Sequence, residues 1–118
     1  MNTRFGFSAI TVLSLVAGCG GSVMSPSKLV ATEGSVRGAE EVGASDEPEA
    51  GLQLKLAQDQ LAKAKVLSKK GNGEEADRLL ARAEVDADLA IALTNEASTR
   101  RAAEVVASDV REAKEQRQ

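Results

Sequence analysis

Among 118 residues, the side chain best equipped for chemistry is Cys19, the only cysteine in the chain. Leu15-Val16-Ala17-Gly18 stands directly before it. The two small residues suit a narrow peptidase cleft and leave the thiol open to a modifying enzyme. The hydroxyls of Ser68, Ser98 and Ser108 are nucleophiles without a base, because histidine, the usual general base and commonest metal ligand, is absent. Two acidic groups complete the inventory. Glu40, Glu41, Asp46, Glu47 and Glu49 stand within ten residues, and Glu84, Asp86 and Asp88 within five. Neither has the glycine-hinged ligand spacing of a calcium loop. Both read as solvated helix surface, the first complementing the positive end of a following helix. No catalytic residue, metal site or cofactor is expected.

The residues before Cys19 are ordered as an export signal. A positive start (the α-amine and Arg4) precedes an apolar run from Phe5 to Val16, and small residues follow. That run is shorter than the about 20 residues a membrane-spanning helix needs. With Cys19 included, Leu15-Val16-Ala17-Gly18-Cys19 resembles the lipobox of bacterial lipoproteins. The resemblance implies cleavage between Gly18 and Cys19, two acyl chains on the sulfur and a third on the new amino terminus. Two chains already anchor a protein stably, where one gives only marginal binding. Lipidation would consume the thiol, leaving no disulfide, zinc site or redox pair within the chain. Gly20, rather than Asp, follows the cysteine. By resemblance to the sorting rule of Gram-negative lipoproteins, that implies the periplasmic side of the outer membrane. Another membrane leaflet or secretion is the alternative.

Removal of residues 1–18 takes away Phe5 and Phe7, the only aromatic residues, and Arg4, moving the formal charge from −3 to −4. No ring then remains to stack on bases or sugars or to cage a cation. An acidic surface repels phosphate backbones, so nucleic acid is not an expected partner.

Residues 19–27 read as a flexible tether rich in Gly and Ser, and 28–118 as one small helical domain. Ser25-Pro26 or Ser27 suits a helix start, with Leu29, Thr32, Val36, Ala39 and Val42 at near-helical spacing. Gly34 and Gly38 mark either close approach of another helix or a weak helix. Gly43–Glu49 reads as a loop with Ser45 or Asp46 as cap and Pro48 in the next first turn. A second helix over Glu49–Lys70 carries Ala50, Leu54, Ala57, Leu61, Ala64 and Leu67 on one stripe, with Asp59 and Lys63 four apart as an ion pair. Gly71-Asn72-Gly73 reads as a tight turn with Gly71 as the left-handed cap.

From Glu74 to about Glu115 no Gly or Pro interrupts the chain. Ala76, Leu79, Leu80, Ala83, Ala87, Ala90, Thr94 and Ala97 mark a stripe that Ala102, Val106, Val110 and Ala113 are expected to continue. A break near Thr94-Asn95 is left open, and Glu96 is placed to pair with Arg100. The fold expected is all-α: an Ala-rich antiparallel hairpin with an additional N-terminal helix and a long third helix. Its far half exceeds the reach of the second helix, and Ala cores bury little area at ~25 cal/mol per Å².

The run Leu61-Ala62-Lys63-Ala64-Lys65 through Gly71, Glu74-Glu75-Ala76, Leu80, Ala83, Ala87 and Leu89-Ala90 resembles the bacterial envelope family called domain of unknown function 4398. The resemblance covers Pro26 to about Val110 and implies a helical hairpin and often a lipoprotein. Some relatives add an OmpA-like domain that grips peptidoglycan. These 118 residues leave no room for one, so that link is not expected here. The expected function is a non-catalytic, lipid-anchored scaffold or adaptor facing the periplasm, using Ala102, Val106, Val110 and Ala113. Its partner would be an envelope protein, or a second copy in weak self-association. A small-ligand or peptidoglycan-binding module is the alternative.

Overall fold

A computed structural model describes residues 21–117. The expected export signal, the expected cleavage point at Gly18 and Cys19, and the expected lipidation site Cys19 lie outside the described residues.

Three helices form: α1 over Pro26–Glu41, α2 over Pro48–Lys69 and α3 over Gly73–Glu115, with a 3-10 turn at Ala44–Asp46 between the first two. No strand occurs among the described residues. Pro26 and Pro48 open their helices where a missing N–H costs nothing. Gly43 and Gly71 each have φ of 80°, the left-handed conformation that stops a helix. At Gly71 the closure is complete: its N–H donates to the Ser68 carbonyl, and the Asn72 N–H to the Leu67 carbonyl, both at 3.0 Å. These bonds satisfy carbonyls at the end of α2 and fold α3 back against it.

Cross-links fix the helix directions. Ser25 meets Asp77 and Thr32 meets Leu80, so α1 runs parallel to α3. Glu33 pairs with Lys65 at 2.6 Å and Glu40 accepts from Gln58, so α1 runs antiparallel to α2. The hairpin is therefore antiparallel, with α1 packed chiefly along α3.

The seam is made of alanine. Ala50, Ala57, Ala64, Ala76, Ala83, Ala87 and Ala90 are fully buried, with Leu54 and Leu80 as the larger partners. The buried positions of α3 (Ala76, Leu80, Ala83, Ala87, Ala90, Thr94, Ala97) alternate in steps of four and three, as a packed helical seam requires. The helix runs unbroken through Thr94, whose buried hydroxyl is satisfied by donating to the Ala90 carbonyl at 2.8 Å. Thr32 is equally buried, with its hydroxyl 2.9 Å from the Lys28 carbonyl and 3.2 Å from that of Leu80. Neither glycine of α1 is demanded by packing. A Cβ at Gly38 would stand 3.6 Å from Ile91 Cδ1, an ordinary contact, and at Gly34 it would meet open space. Those two residues weaken the helix without serving a close approach. Val42, expected on the α1 stripe, is exposed because the helix ends at Glu41.

Three expectations need correction. Asp59 pairs with Lys55 at 3.9 Å rather than with Lys63. Glu96 and Arg100 make no ion pair with each other; the neighbouring Arg101 instead reaches Glu47 and ties α3 to the start of α2. The third concerns the tether. Ser22 to Ser25 are bonded to the start of α3: the Gly73 N–H donates to the Ser22 carbonyl at 2.9 Å, and the Ser25 N–H to Asp77 Oδ1 at 2.8 Å. The physical reason is that the first N–H groups of a helix have no partners within it, and the Asn72 side chain does not cap α3. The Ser25 N–H, aided by the Lys28 ammonium at 3.3 Å, holds the Asp77 carboxyl below its usual range, while partial desolvation works the other way. A depressed carboxylate pKa stabilises the docked state above the ordinary carboxylate range, and that contribution is lost as pH falls through the lowered value.

Candidate functional site

The two hairpin helices differ in length by design of their sequences. Helix α2 has 22 residues and α3 has 43. At 1.5 Å per residue these are about 33 and 65 Å. The contact between Arg101 and Glu47 marks the level where α2 begins, and every residue from Ser98 to Arg117 is exposed.

Ala102, Val106 and Val110 share one face of this uncovered stretch, together with Thr99, Ala103 and Ala107, and with Arg111 and Lys114 along its border. Ala113, three residues beyond Val110, falls on the same face by helical spacing and is exposed. Val106 is 60% and Val110 49% exposed. The stripe does not continue the buried seam, as the spacing had suggested. Val106 lies nine residues beyond Ala97, two and a half turns on at about 3.6 residues per turn, and so faces the opposite side. Continuing the seam in steps of four and three from Ala97 gives Arg101, Glu104, Ser108 and Arg111, all polar.

The opposite face has its own seam. Val85, Leu89, Ala92, Glu96, Thr99, Ala103, Val106, Val110 and Ala113 follow the same steps of four and three, and all are exposed. Val85 and Leu89 belong to this face and escape a reading of the sequence centred on the alanines. Their signal is the repeated spacing, interrupted only by the charge of Glu96. A long exposed seam of this kind matches the face a helix presents to another helix.

Elsewhere the surface offers less. An open cleft at the start of α2 is bordered by Glu47, Glu49, Glu96 and Arg100 around Leu93 and Ala97. Its charges include no nucleophile paired with a base. Asp86 accepts a hydrogen bond from Gln60 on α2, which draws it away from Glu84 and Asp88. Among the described residues, no three His, Cys, Asp or Glu side chains stand where they could hold one metal ion. No helix among them is long and apolar enough to cross a membrane.

Residues 27–106 match the family described as domain of unknown function (DUF4398). The match takes in α1, α2 and α3 as far as Val106. No curated protein and no solved structure matches the chain.

Proposed function

This chain belongs to the family described as domain of unknown function (DUF4398), and we propose that it is a lipid-anchored, non-catalytic adaptor of the bacterial envelope. In this reading Cys19 carries the lipid, the domain faces the periplasm from the outer membrane, and α3 holds an envelope protein. The observation that carries it is the exposed apolar seam of α3 beyond the reach of α2. Uncovered apolar surface of this kind marks an interaction site. The lipobox residues Leu15 to Cys19 and the residue Gly20 support the location.

Two expected results test the reading. Cys19→Ala should lose the mass of three acyl chains and leave the outer-membrane fraction. Intact mass and fractionation decide this, and an unlipidated, soluble wild-type chain would sink the anchor. Val106→Asp combined with Val110→Asp should abolish crosslinking to the envelope protein captured by the wild-type chain, with the melting temperature unchanged. Both residues are exposed, so only an interface should notice the charges. Retained capture would remove the seam from the function. Saturable binding to isolated wall fragments, indifferent to these substitutions, would favour a peptidoglycan-binding module instead.

A further inference from the structure

We propose that Ser22 to Ser25 form a clasp that ties the chain just after the lipid-bearing Cys19 to the α2–α3 turn, so that this end meets the bilayer and α3 stands upright, carrying its uncovered seam to the end farthest from it. This rests on the lipid at Cys19 proposed above. The partner it implies lies well outside the headgroup layer, not within the membrane.

The clasp works as a helix cap supplied from a distance. The Glu74 N–H donates to Ser22 Oγ at 2.9 Å, as the Gly73 N–H does to the Ser22 carbonyl, across 52 residues of sequence for the hydroxyl bond. These amides belong to the group at a helix start that has no intrahelical acceptor. The contact is made by backbone against backbone, and glycine permits it. A Cβ on Gly73 would stand 2.3 Å from the Met24 nitrogen and 2.4 Å from the Ser22 carbonyl oxygen. On Gly21 it would stand 3.1 Å from the Gly71 carbonyl oxygen. Met24 adds an apolar hold by packing on the cluster of Ala64, Ala76 and Leu80.

Cys19 precedes Gly21 by two residues. At no more than ~3.6 Å per residue, two residues of chain reach at most about 7 Å from Gly21, which itself lies against Gly71 of the α2–α3 turn. That end of the molecule therefore lies at the headgroups. Its charge suits the position. The parallel and antiparallel helix directions bring Lys28 of α1 and Lys63, Lys65, Lys69 and Lys70 of α2 to the anchored end. Glu33, Glu74, Glu75 and Asp77 share that end, with Lys28 and Lys65 paired to Asp77 and Glu33, and Arg78 and Arg82 keep its balance basic. Glu40, Glu41, Asp46, Glu47 and Glu49 gather at the other end of the hairpin. An anionic leaflet attracts the basic end and repels the acidic one, which opposes lying flat. From Gly73, Val106 is 33 residues along α3, or about 50 Å at 1.5 Å per residue.

The test uses the lipoprotein purified from membranes, with intact mass read first. Lys70→Cys and Gln116→Cys variants, whose new thiol is the only free one once Cys19 is acylated, receive a fluorophore and enter vesicles of phosphatidylethanolamine and phosphatidylglycerol bearing a headgroup acceptor. Energy transfer should be at least several-fold stronger from position 70 than from position 116. In the Gly73→Val background that difference should shrink. Equal transfer from both positions in the lipidated wild-type chain overturns the upright stance. Hydrogen exchange on the full chain scores the clasp without any lipid. The Gly73 and Glu74 amides should exchange at least tenfold more slowly than in Gly73→Val, and Ser22→Ala should release Glu74 alone. Unprotected amides in the wild-type chain overturn the clasp. Absence of acyl mass with protected amides overturns the anchor and leaves the clasp standing.

Discussion

Leu80→Ala is expected to destabilise the domain by about 2–5 kcal/mol, the range for removing a fully buried leucine. Leu80 has no exposed surface and, with Thr32, is the largest side chain buried to that degree. It sits where all three helices converge, against Ala64 and Ala76, with Met24, Leu29, Leu61, Leu67 and Leu79 at the edges. Alanine neighbours have no length with which to fill the space it would leave. The loss is large relative to the about 5–15 kcal/mol of a typical domain. At about 4–8 °C per kcal/mol for a domain of this size, the melting temperature should fall by at least ~8 °C. Thermal unfolding followed by circular dichroism checks it. A fall of under ~4 °C would mean that Leu80 is not the keystone of this end. The same substitution should leave the lipidation proposed at Cys19 unchanged, which separates stability from anchoring.

The parts of this fold that could be read from the sequence are those set by local chemistry. Pro26, Pro48 and the left-handed Gly71 punctuate the helices, and Ala76 to Ala97 repeat at the spacing of a buried seam. The unequal lengths of α2 and α3 followed directly. What could not be read depends on comparing faces or on distant partners. Alanine is small enough to sit in a seam or on a surface, so an Ala-rich helix carries two plausible stripes at once. For that reason the spacing assigns Ala102 to Ala113 to the buried stripe when they lie on the other, and leaves Val85 and Leu89 without a partner stripe. The clasp was hidden more deeply. Gly20 to Ser27 have the composition of a loose linker, and only the bonds of Ser22 and Ser25 to Gly73, Glu74 and Asp77, about fifty residues away, show where Ser22 to Ser25 sit. A trace existed in Gly73 itself, a glycine at the first position of a helix whose preceding Asn72 makes no cap.

Ala87→Leu should be destabilising in the opposite way, by overfilling. Ala57, Ala83, Ala87 and Ala90 are fully buried in one cluster with Val36, Ala39 and Leu54. Small residues along the seam let the helix axes approach the lower end of the usual separation, about 8 Å. A leucine at position 87 has no hole to enter and must push α1 or α2 outward, at a cost of about 1–3 kcal/mol. Ala103→Leu makes the identical chemical change on the same helix, on the uncovered seam. There it meets solvent, and the melting temperature should stay within about 2 °C of wild type, as for surface substitutions of up to ~0.5 kcal/mol. The pair measures what distinguishes the two seams of α3: one is occupied by α1 and α2, the other is uncovered. Equal falls in both variants would show that residue 103 is packed in the isolated chain, leaving no free face for an adaptor to use.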